Sequence, residues 1–309
     1  MSLSIITPHY NDLTGLEKIY SCLQNQSHTT WEWIIVDDFS NKAVLEILNK
    51  WHLKLVDVRV RLFCNNKKTN ASVCRNIGID QASYNQLVFL DADDLILENF
   101  VANRLLDVEE FTVFKNYKII SKNNEIIFSK AFKSKPLDSF LKANFLWQTT
   151  CVLWDRTFLM KIGKFDPNLQ RLQDVELFIR ALIEGKNYKI IDNEVDFLYR
   201  AMPIRLKQDI VKRSCESVNY LILKITTNYH LEPYKFKYLK SYYFACTKNL
   251  QRSKSLEDIK YVKGSLKVFY TNNLINVYLY LMGSLLLTLY RYHMISDTYF
   301  LKINRYFFK

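Results

Sequence analysis

Leu87-Val88-Phe89-Leu90-Asp91-Ala92-Asp93-Asp94 is an apolar run of strand length that stops on three carboxylates. Four consecutive large apolar residues suit a strand covered on both faces. Three carboxylates within four residues repel one another unless a cation sits between them. Oxygen-only ligation suits Mg²⁺ or Mn²⁺, with substrate phosphates completing the shell. A solvated acidic turn or a helix N-cap is the plainer alternative, because Asp is common in both.

Upstream of this stretch, short β-branched runs alternate with helical patterns. The pattern predicts strands over 3–7, 33–36, 58–63 and 87–90, and helices over 13–24, 44–51 and 71–82. Such alternation implies a parallel sheet covered by helices, an α/β fold. Ligands of these sheets bind at the carboxyl ends of the strands. Three ends carry polar groups, namely Thr7-Pro8-His9-Tyr10-Asn11, Asp37-Asp38 and Asp91 to Asp94, and they are expected to converge on one crevice. From 111 to 199 the pattern is mixed, with short strands over 111–114, 119–120, 126–128 and 152–154 and helices over 156–162 and 174–184. Beyond Tyr199 it becomes helical and rich in Lys, Tyr and Leu. No internal repeat or low-complexity linker is evident.

The chain has 309 residues and a formal net charge of +12. Residues 1–199 hold 24 Lys and Arg against 25 Asp and Glu, a net of −1, whereas residues 200–309 hold 19 against 6, a net of +13. The excess therefore sits in the last third, whose expected partner is polyanionic: nucleic acid or an anionic membrane surface. Six cysteines, no two closer than 10 residues, and five scattered histidines make a disulfide scaffold or a zinc site unexpected. The opening MSLSIITPHYND lacks the basic and long apolar regions of a secretory signal, so a reduced cytoplasmic setting is expected.

Three further residues suggest chemistry. Asp37 ends a strand, where an Asp binds a ribose or base edge or simply makes a polar turn. Arg75 shares a helical stripe with Ala71, Gly78 and Ala82, small residues that leave room for one guanidinium. Gly78 costs about 1 kcal/mol against Ala in a helix, so a packing reason is expected. A guanidinium beside an acidic crevice suits a nucleotide or diphosphate, the alternative being a surface Arg beside a chance Gly. Asp174 starts a helix in line with its apolar stripe of Leu177, Phe178, Ala181 and Leu182. Partial burial would make it a better base, while the helix dipole alone also favours an Asp there.

In order, these pieces resemble the family-2 glycosyltransferases with the GT-A fold. The likeness is carried by Ile5-Ile6-Thr7-Pro8-His9-Tyr10-Asn11 with Trp31 to Ser40, by Ala71 to Ile79 leading to Phe89 to Asp94, and by Ile162 to Asp166 followed by Gln173-Asp174-Val175-Glu176-Leu177. It covers roughly the first 200 residues. The resemblance implies a Rossmann-like, mostly parallel nucleotide-diphospho-sugar transferase domain over 1–200 and a basic, mostly helical extension over 201–309. It puts Asp37 on the nucleobase with Thr7, Pro8 and Tyr10 lining the same pocket, and Arg75 on the nucleotide. Asp91 and Asp93 match the two acids that hold ribose and the diphosphate-bound Mn²⁺ or Mg²⁺, with Asp94 as support, and Asp174 matches the base. Tyr199-Arg200 resembles a segment that closes over the donor. Trp147, Gln148 and Arg200 are expected on the acceptor side, and Trp154 and the loops around 115–150 are further acceptor-side candidates. The sequence departs from the family pattern at Asn70 (usually Gly), His9, Cys74 and Gln173 (often Glu).

The implied activity is metal-dependent, inverting transfer of a hexose-like sugar. The donor is a nucleotide-sugar, UDP-linked, and the acceptor a saccharide or lipid-linked glycan in surface polysaccharide synthesis. The other class considered is a basic nucleic-acid-binding protein with an inactive nucleotide-binding domain. No C₂H₂, RRM or KH signature supports it, so no nucleic-acid partner is expected. A dehydrogenase would need a G-x-G-x-x-G after a strand, which is absent. Residues 268–290 carry no charge, with flanking cations and aromatics that include Arg291, Tyr292, Arg305 and Lys309. They fit a helix lying at the inner face of the cytoplasmic membrane, a core or homodimer helix, or a membrane span.

Overall fold

The computed structural model describes residues 1–121, 125–128, 135–200, 209–253 and 255–308, the side chains of 252 and 253 excepted. The chain forms two compact units. The first comprises Met1–Ala131, Trp147–Pro167 and Arg180–Ile204, and the second Phe132–Leu146, Asn168–Ile179 and Arg205–Lys309.

The first unit holds both sheets. Its strands are β1 (Leu3–His9), β2 (Trp31–Asp37), β3 (Val60–Cys64), β4 (Gln86–Phe89), β5 (Leu95–Ile96), β6 (Phe111–Phe114), β7 (Lys118–Ile120), β8 (Ile126–Phe128), β9 (Val152–Asp155), β10 (Lys189–Ile191) and β11 (Phe197–Arg200). Seven make the main sheet in the order β10-β6-β9-β4-β1-β2-β3, and β5-β11-β7-β8 make a smaller one. In the main sheet β9 alone runs against its neighbours β4 and β6. Ile5, Ile6, Trp33, Ile34, Ile35, Val36, Leu87, Val88 and Phe89 are fully buried, as expected of strands with helices on both faces. From β1 the chain steps outward through β2 and β3, then returns to place β4 on the other side of β1. That reversal makes the crevice beyond the ends of β1 and β4 the natural ligand site.

Asx side chains start the helices that cover these strands. Asp12 caps Leu13–Gln24 by accepting from the Gly15 N–H, Asn41 caps Lys42–Leu55 through Val44, and Asn70 caps Ala71–Gln81 through Val73. A side chain at Gly78 would overlap the Ile6 methyl group of β1, which is the packing reason expected for this glycine. Gly78→Ala is therefore expected to cost about 1–3 kcal/mol through overpacking, despite Ala's better helix propensity, as read by urea unfolding.

The second unit is helical. Its main helices are Ile210–Asn228, Leu256–Thr271, Val277–Arg291 and Asp297–Phe308. Tyr243 is a buried hub, its ring 4.4 Å from that of Phe308 and 5.6 Å from that of Phe269. Residues 135–146 and 168–179 belong here, with the Phe140 and Phe178 rings meeting at a tilt 5.5 Å apart and the Phe140 carbonyl accepting from the Tyr242 hydroxyl. The single boundary expected after residue 200 thus becomes several crossings, one of them inside the helix Gln173–Glu184. Residues 201–208 next to that expected boundary lie outside the described residues, as do 122–124, 129–134 and Lys309.

The uncharged run 268–290 is not one helix. Asn272 ends one helix, Asn273 takes the left-handed backbone (φ 57°), and Asn276 caps the next through the Leu279 N–H. No helix among the described residues is long and apolar enough to cross a membrane.

Candidate active site

The first unit brings the ends of β1, β2 and β4 together. His9 and Asp37 are register partners. The His9 Nε2 accepts from the Asp12 backbone N–H, so its Nδ1 carries the proton and donates to Asp37 at 2.7 Å. Asp37 also accepts from the Ser40 N–H and hydroxyl, and it is 0% exposed. Burial alone would raise its carboxyl, but these donors outweigh burial and hold it below the usual range. Asp37 thus fixes the loop after β2, and it does not face the pocket as expected. Thr7 departs in the same way, being fully buried with its hydroxyl accepting from the Trp33 indole at 2.9 Å.

Tyr10 and a lysine that sequence reasoning missed are exposed at this end, with Pro8 half-buried beside them. Lys68 Nζ sits 3.2 Å from the centre of the Tyr10 ring and 2.6 Å from Asp38. Asp38 also accepts from the Thr69 N–H and hydroxyl; burial would raise its carboxyl, but Lys68 and Thr69 together hold it low. Between Asp38 and Ser40, Phe39 takes a left-handed backbone (φ 61°) that a bulky side chain rarely adopts.

Asp37, Asp38 and Glu32 are all held below their ordinary range by hydrogen-bond donors. A lowered folded-state value means stability that is fully present above the unfolded value, about 4, and lost as the pH falls through the folded one. Asp37→Asn is accordingly expected to flatten the acid side of the melting-temperature profile below about pH 4. An unchanged acid slope would remove Asp37 from this account.

At the end of β4, Asp91 is 39% exposed by side chain, and its Oδ1 lies 2.6 Å from Arg75 Nη2. Arg75 is buried and rests over the Phe165 ring at 5.2 Å. Phe165 in turn meets Phe89 edge-on at 4.9 Å and exchanges two backbone hydrogen bonds with the Asn76 amide. The Asn70 amide donates to the Pro167 carbonyl, which gives this departure from the family pattern a holding role. Arg75 and Asn76 therefore lock the loop around Phe165 to the acidic turn. Arg75 reaches the crevice as the partner that orients Asp91.

Asp93 is half-buried; desolvation first, then the charges of Asp91 and Asp12, raise its carboxyl, while Arg200 opposes them. Asp94 differs. It is 2% exposed and raised well above the usual range by burial and by Asp91 and Asp93. Its two oxygens accept from the Thr150 hydroxyl and the Arg200 backbone N–H. Asp94 thus braces the end of β11 and is not placed as a ligand, which corrects its inclusion among metal-holding residues. Among the described residues no three His, Cys, Asp or Glu side chains gather into a metal cage. The donor set that fits a hard divalent ion is Asp91 with Asp93, two carboxylates that leave the rest of the shell to phosphates and water.

Gly15 was another residue missed. A side chain there would overlap the carbonyl of Ala92, inside the acidic turn. Trp147 is 2% exposed, so the indole expected on the acceptor side is a packing residue. Trp154 is fully buried in β9 for the same reason. Gln148 is half-buried beside the turn Thr149–Cys151, and Arg200 is half-buried with its charge felt at Asp93.

In the second unit, Asp174 is half-buried in the first turn of its helix. Its neighbour Gln173 donates to the Leu169 carbonyl, and buried Glu176 pairs with Lys224 at 2.9 Å. Burial first, then the charge of Asp174, pushes the Tyr242 phenol well up, which sets Asp174 near that ring.

Residues 4–166, just over half of the chain, match the model for glycosyl transferase family 2. Among curated relatives, TuaG of Bacillus subtilis (strain 168), named for teichuronic acid biosynthesis, is 26% identical over 208 residues, 62% of this chain and 81% of TuaG. The Escherichia coli protein WfaP, named a UDP-Glc:alpha-D-GlcNAc-diphosphoundecaprenol beta-1,3-glucosyltransferase, is 26% identical over 62% of this chain and 75% of its own. The crystal structure of S. aureus TarS 1-349 with UDP-GlcNAc superimposes with a TM-score of 0.65 at 16% identity, over 99% of this chain and 89% of that one. This chain spans about half (49%) of the longer TarS chain. The mannosyltransferase PcManGT of Pyrobaculum calidifontis, with GDP-Man and Mn²⁺, gives a TM-score of 0.52 at 14% identity, over 99% and 87% of the chains. With its β/α order, its acidic turn at the end of β4 and this family match, the chain belongs to glycosyl transferase family 2 and has the GT-A fold.

Proposed function

We propose that this protein is an inverting glycosyltransferase that moves a sugar from a UDP-linked donor to a hydroxyl of a saccharide or lipid-linked glycan acceptor in surface polysaccharide synthesis. The observation that carries this reading is the pair Asp91 and Asp93 at the β1/β4 reversal, with Asp91 held by Arg75. UDP-GlcNAc in the TarS complex and the diphosphoundecaprenol named for WfaP support the substrate classes.

Asp91 and Asp93 would hold Mn²⁺ or Mg²⁺, which when bound neutralises the charge that builds on the departing diphosphate. Arg75 orients Asp91, and Tyr10 with Pro8 offers an apolar face for the base. The Asp174 assignment rests on its motif and on its half-buried place at a helix start. Asp174 takes the proton from the acceptor hydroxyl as that oxygen attacks the anomeric carbon from the face opposite the leaving group. One such displacement inverts the configuration. Thermal stabilisation by UDP with Mn²⁺, absent with either alone, is the expected result. Tight RNA binding without that stabilisation would favour the nucleic-acid reading. Gly15→Ala is expected to weaken the UDP–Mn²⁺ response, because a methyl group there displaces the Ala92 carbonyl of the acidic turn.

The helix Val277–Arg291 suits a peripheral place on an anionic membrane. Its buried face is Gly283, Leu286, Leu287 and Tyr290, while Val277, Leu281 and Leu285, at four-residue spacing, are 56%, 61% and 58% exposed. An exposed apolar stripe within a region of net charge +13 matches a surface of acyl chains under anionic headgroups. Leu281→Glu with Leu285→Glu should abolish co-sedimentation with phosphatidylglycerol vesicles. Loss of a dimer in the same variant, without any vesicle binding by the parent, would assign the stripe to a second copy of the chain.

A further inference from the structure

The second unit contains a cavity of about 300 Å³ whose chemistry is distinct from the acidic turn of the first. Lys142, Arg171, Lys248 and Arg305 line it, and no Asp or Glu stands among the described lining residues. Among the described residues no carboxylate pairs with Lys142, Arg171 or Arg305. Lys142 instead lies over the Tyr238 ring at 4.0 Å, and Arg305 faces the Phe244 ring at 6.0 Å. Cations seated on aromatic faces keep their N–H donors for another partner. Lys142, Arg171 and Arg305 converge on one small space as solvent-facing cations, a setting that favours an anion.

The rest of the wall is apolar. Leu172 and Val218 supply aliphatic surface. Tyr242 supplies a ring face, since its hydroxyl already donates to the Phe140 carbonyl at 2.6 Å. Two lining residues, Ala143 (φ 52°) and Leu172 (φ 62°), hold the left-handed backbone, an outlier for a residue as bulky as Leu. Arg171 and Leu172 immediately precede the helix that carries Asp174, and Tyr242 feels the Asp174 charge. The cavity is therefore cationic, partly apolar and adjacent to the proposed base.

We propose that this cavity binds the phosphate or diphosphate ester of the acceptor, with Arg171 and Arg305 as its principal anion ligands, so that the acceptor hydroxyl is presented to Asp174. The inference rests on the glycosyltransferase reading and adds to it a subsite for an anionic acceptor. A phosphate ester of this kind comes either from a lipid-linked diphosphate or from a phosphodiester polymer, and the apolar wall suits a chain attached to the ester.

The test is calorimetric titration of the full chain with farnesyl diphosphate, inorganic pyrophosphate and glycerol 3-phosphate, in EDTA so that metal-bound diphosphate at Asp91 and Asp93 cannot contribute. At least one probe is expected to bind, and Arg171→Gln with Arg305→Gln to weaken it by about tenfold or more, the effect of losing charge-assisted hydrogen bonds. Hydrolysis of the UDP-sugar should be unchanged in that variant, which also shows that it is folded. Lys142→Gln serves as a milder variant with the same expected direction. Farnesyl diphosphate as the tightest probe identifies a lipid-linked source, and glycerol 3-phosphate at least as tight identifies a polymer. Absence of binding by all three probes, or binding indifferent to both variants, overturns the inference while leaving the transferase reading intact. Loss of UDP-sugar hydrolysis in the unsubstituted protein overturns the transferase reading, and the acceptor role of the cavity falls with it.

Discussion

Asp174→Asn should lower turnover by about 10²–10⁴-fold while UDP-sugar binding with Mn²⁺ persists, because a positioned base supplies roughly that factor. Asn keeps the size and shape of the side chain but cannot take the acceptor proton. Gln173, tied to Leu169, and Glu176, tied to Lys224, anchor the start of this helix in the variant as in the parent. The loss should therefore appear in kcat, with donor affinity and melting temperature little changed. Turnover within threefold of the parent would remove Asp174 from the chemistry.

Asp93→Ala should abolish Mn²⁺-dependent donor binding. Outer groups that only orient metal ligands are worth about 10–100-fold, so a direct ligand should exceed that in donor affinity measured by calorimetry. The same substitution should raise, or leave unchanged, the melting temperature without metal. Asp93 is a desolvated carboxylate repelled by Asp91 and Asp12, and its removal relieves that repulsion. Asp94→Asn separates the two kinds of acid in the turn. Its parent's oxygens are occupied by Thr150 and the Arg200 N–H, so the metal response should persist in this variant. If Asp94→Asn abolished the metal response and Asp93→Ala spared it, the ligand assignment would be reversed.

The main strands and helices of the first unit were legible because each βα step carries its own local signals: a buried apolar strand, then an Asx cap and an amphipathic helix. The acidic turn was legible for the same reason, as a strand end with charges that cannot coexist unaided. Residues whose roles depend on a distant partner were not legible. Asp37 and Asp38 read alike in sequence, yet one is saturated by His9 and Ser40 and the other is paired with Lys68, thirty residues on. Gly15 gives no sign that the Ala92 carbonyl lies against it. Trp147, expected on the acceptor side, proves to be buried. The short strands β5, β10 and β11 lack enough residues to show a period, and they form by pairing with strands far away in sequence. The uncharged run 268–290 read as one apolar segment because composition hides the turn that Asn272, Asn273 and Asn276 build.

The most direct test of the central claim is nucleoside diphosphate release from a panel of nucleotide-sugars, measured with Mn²⁺, with Mg²⁺ and with EDTA. At least one UDP-sugar should release its nucleoside diphosphate only with the divalent ion, and Asp93→Ala should lose that release. Folded protein that releases no nucleoside diphosphate from any donor, or releases it equally in EDTA, would contradict it.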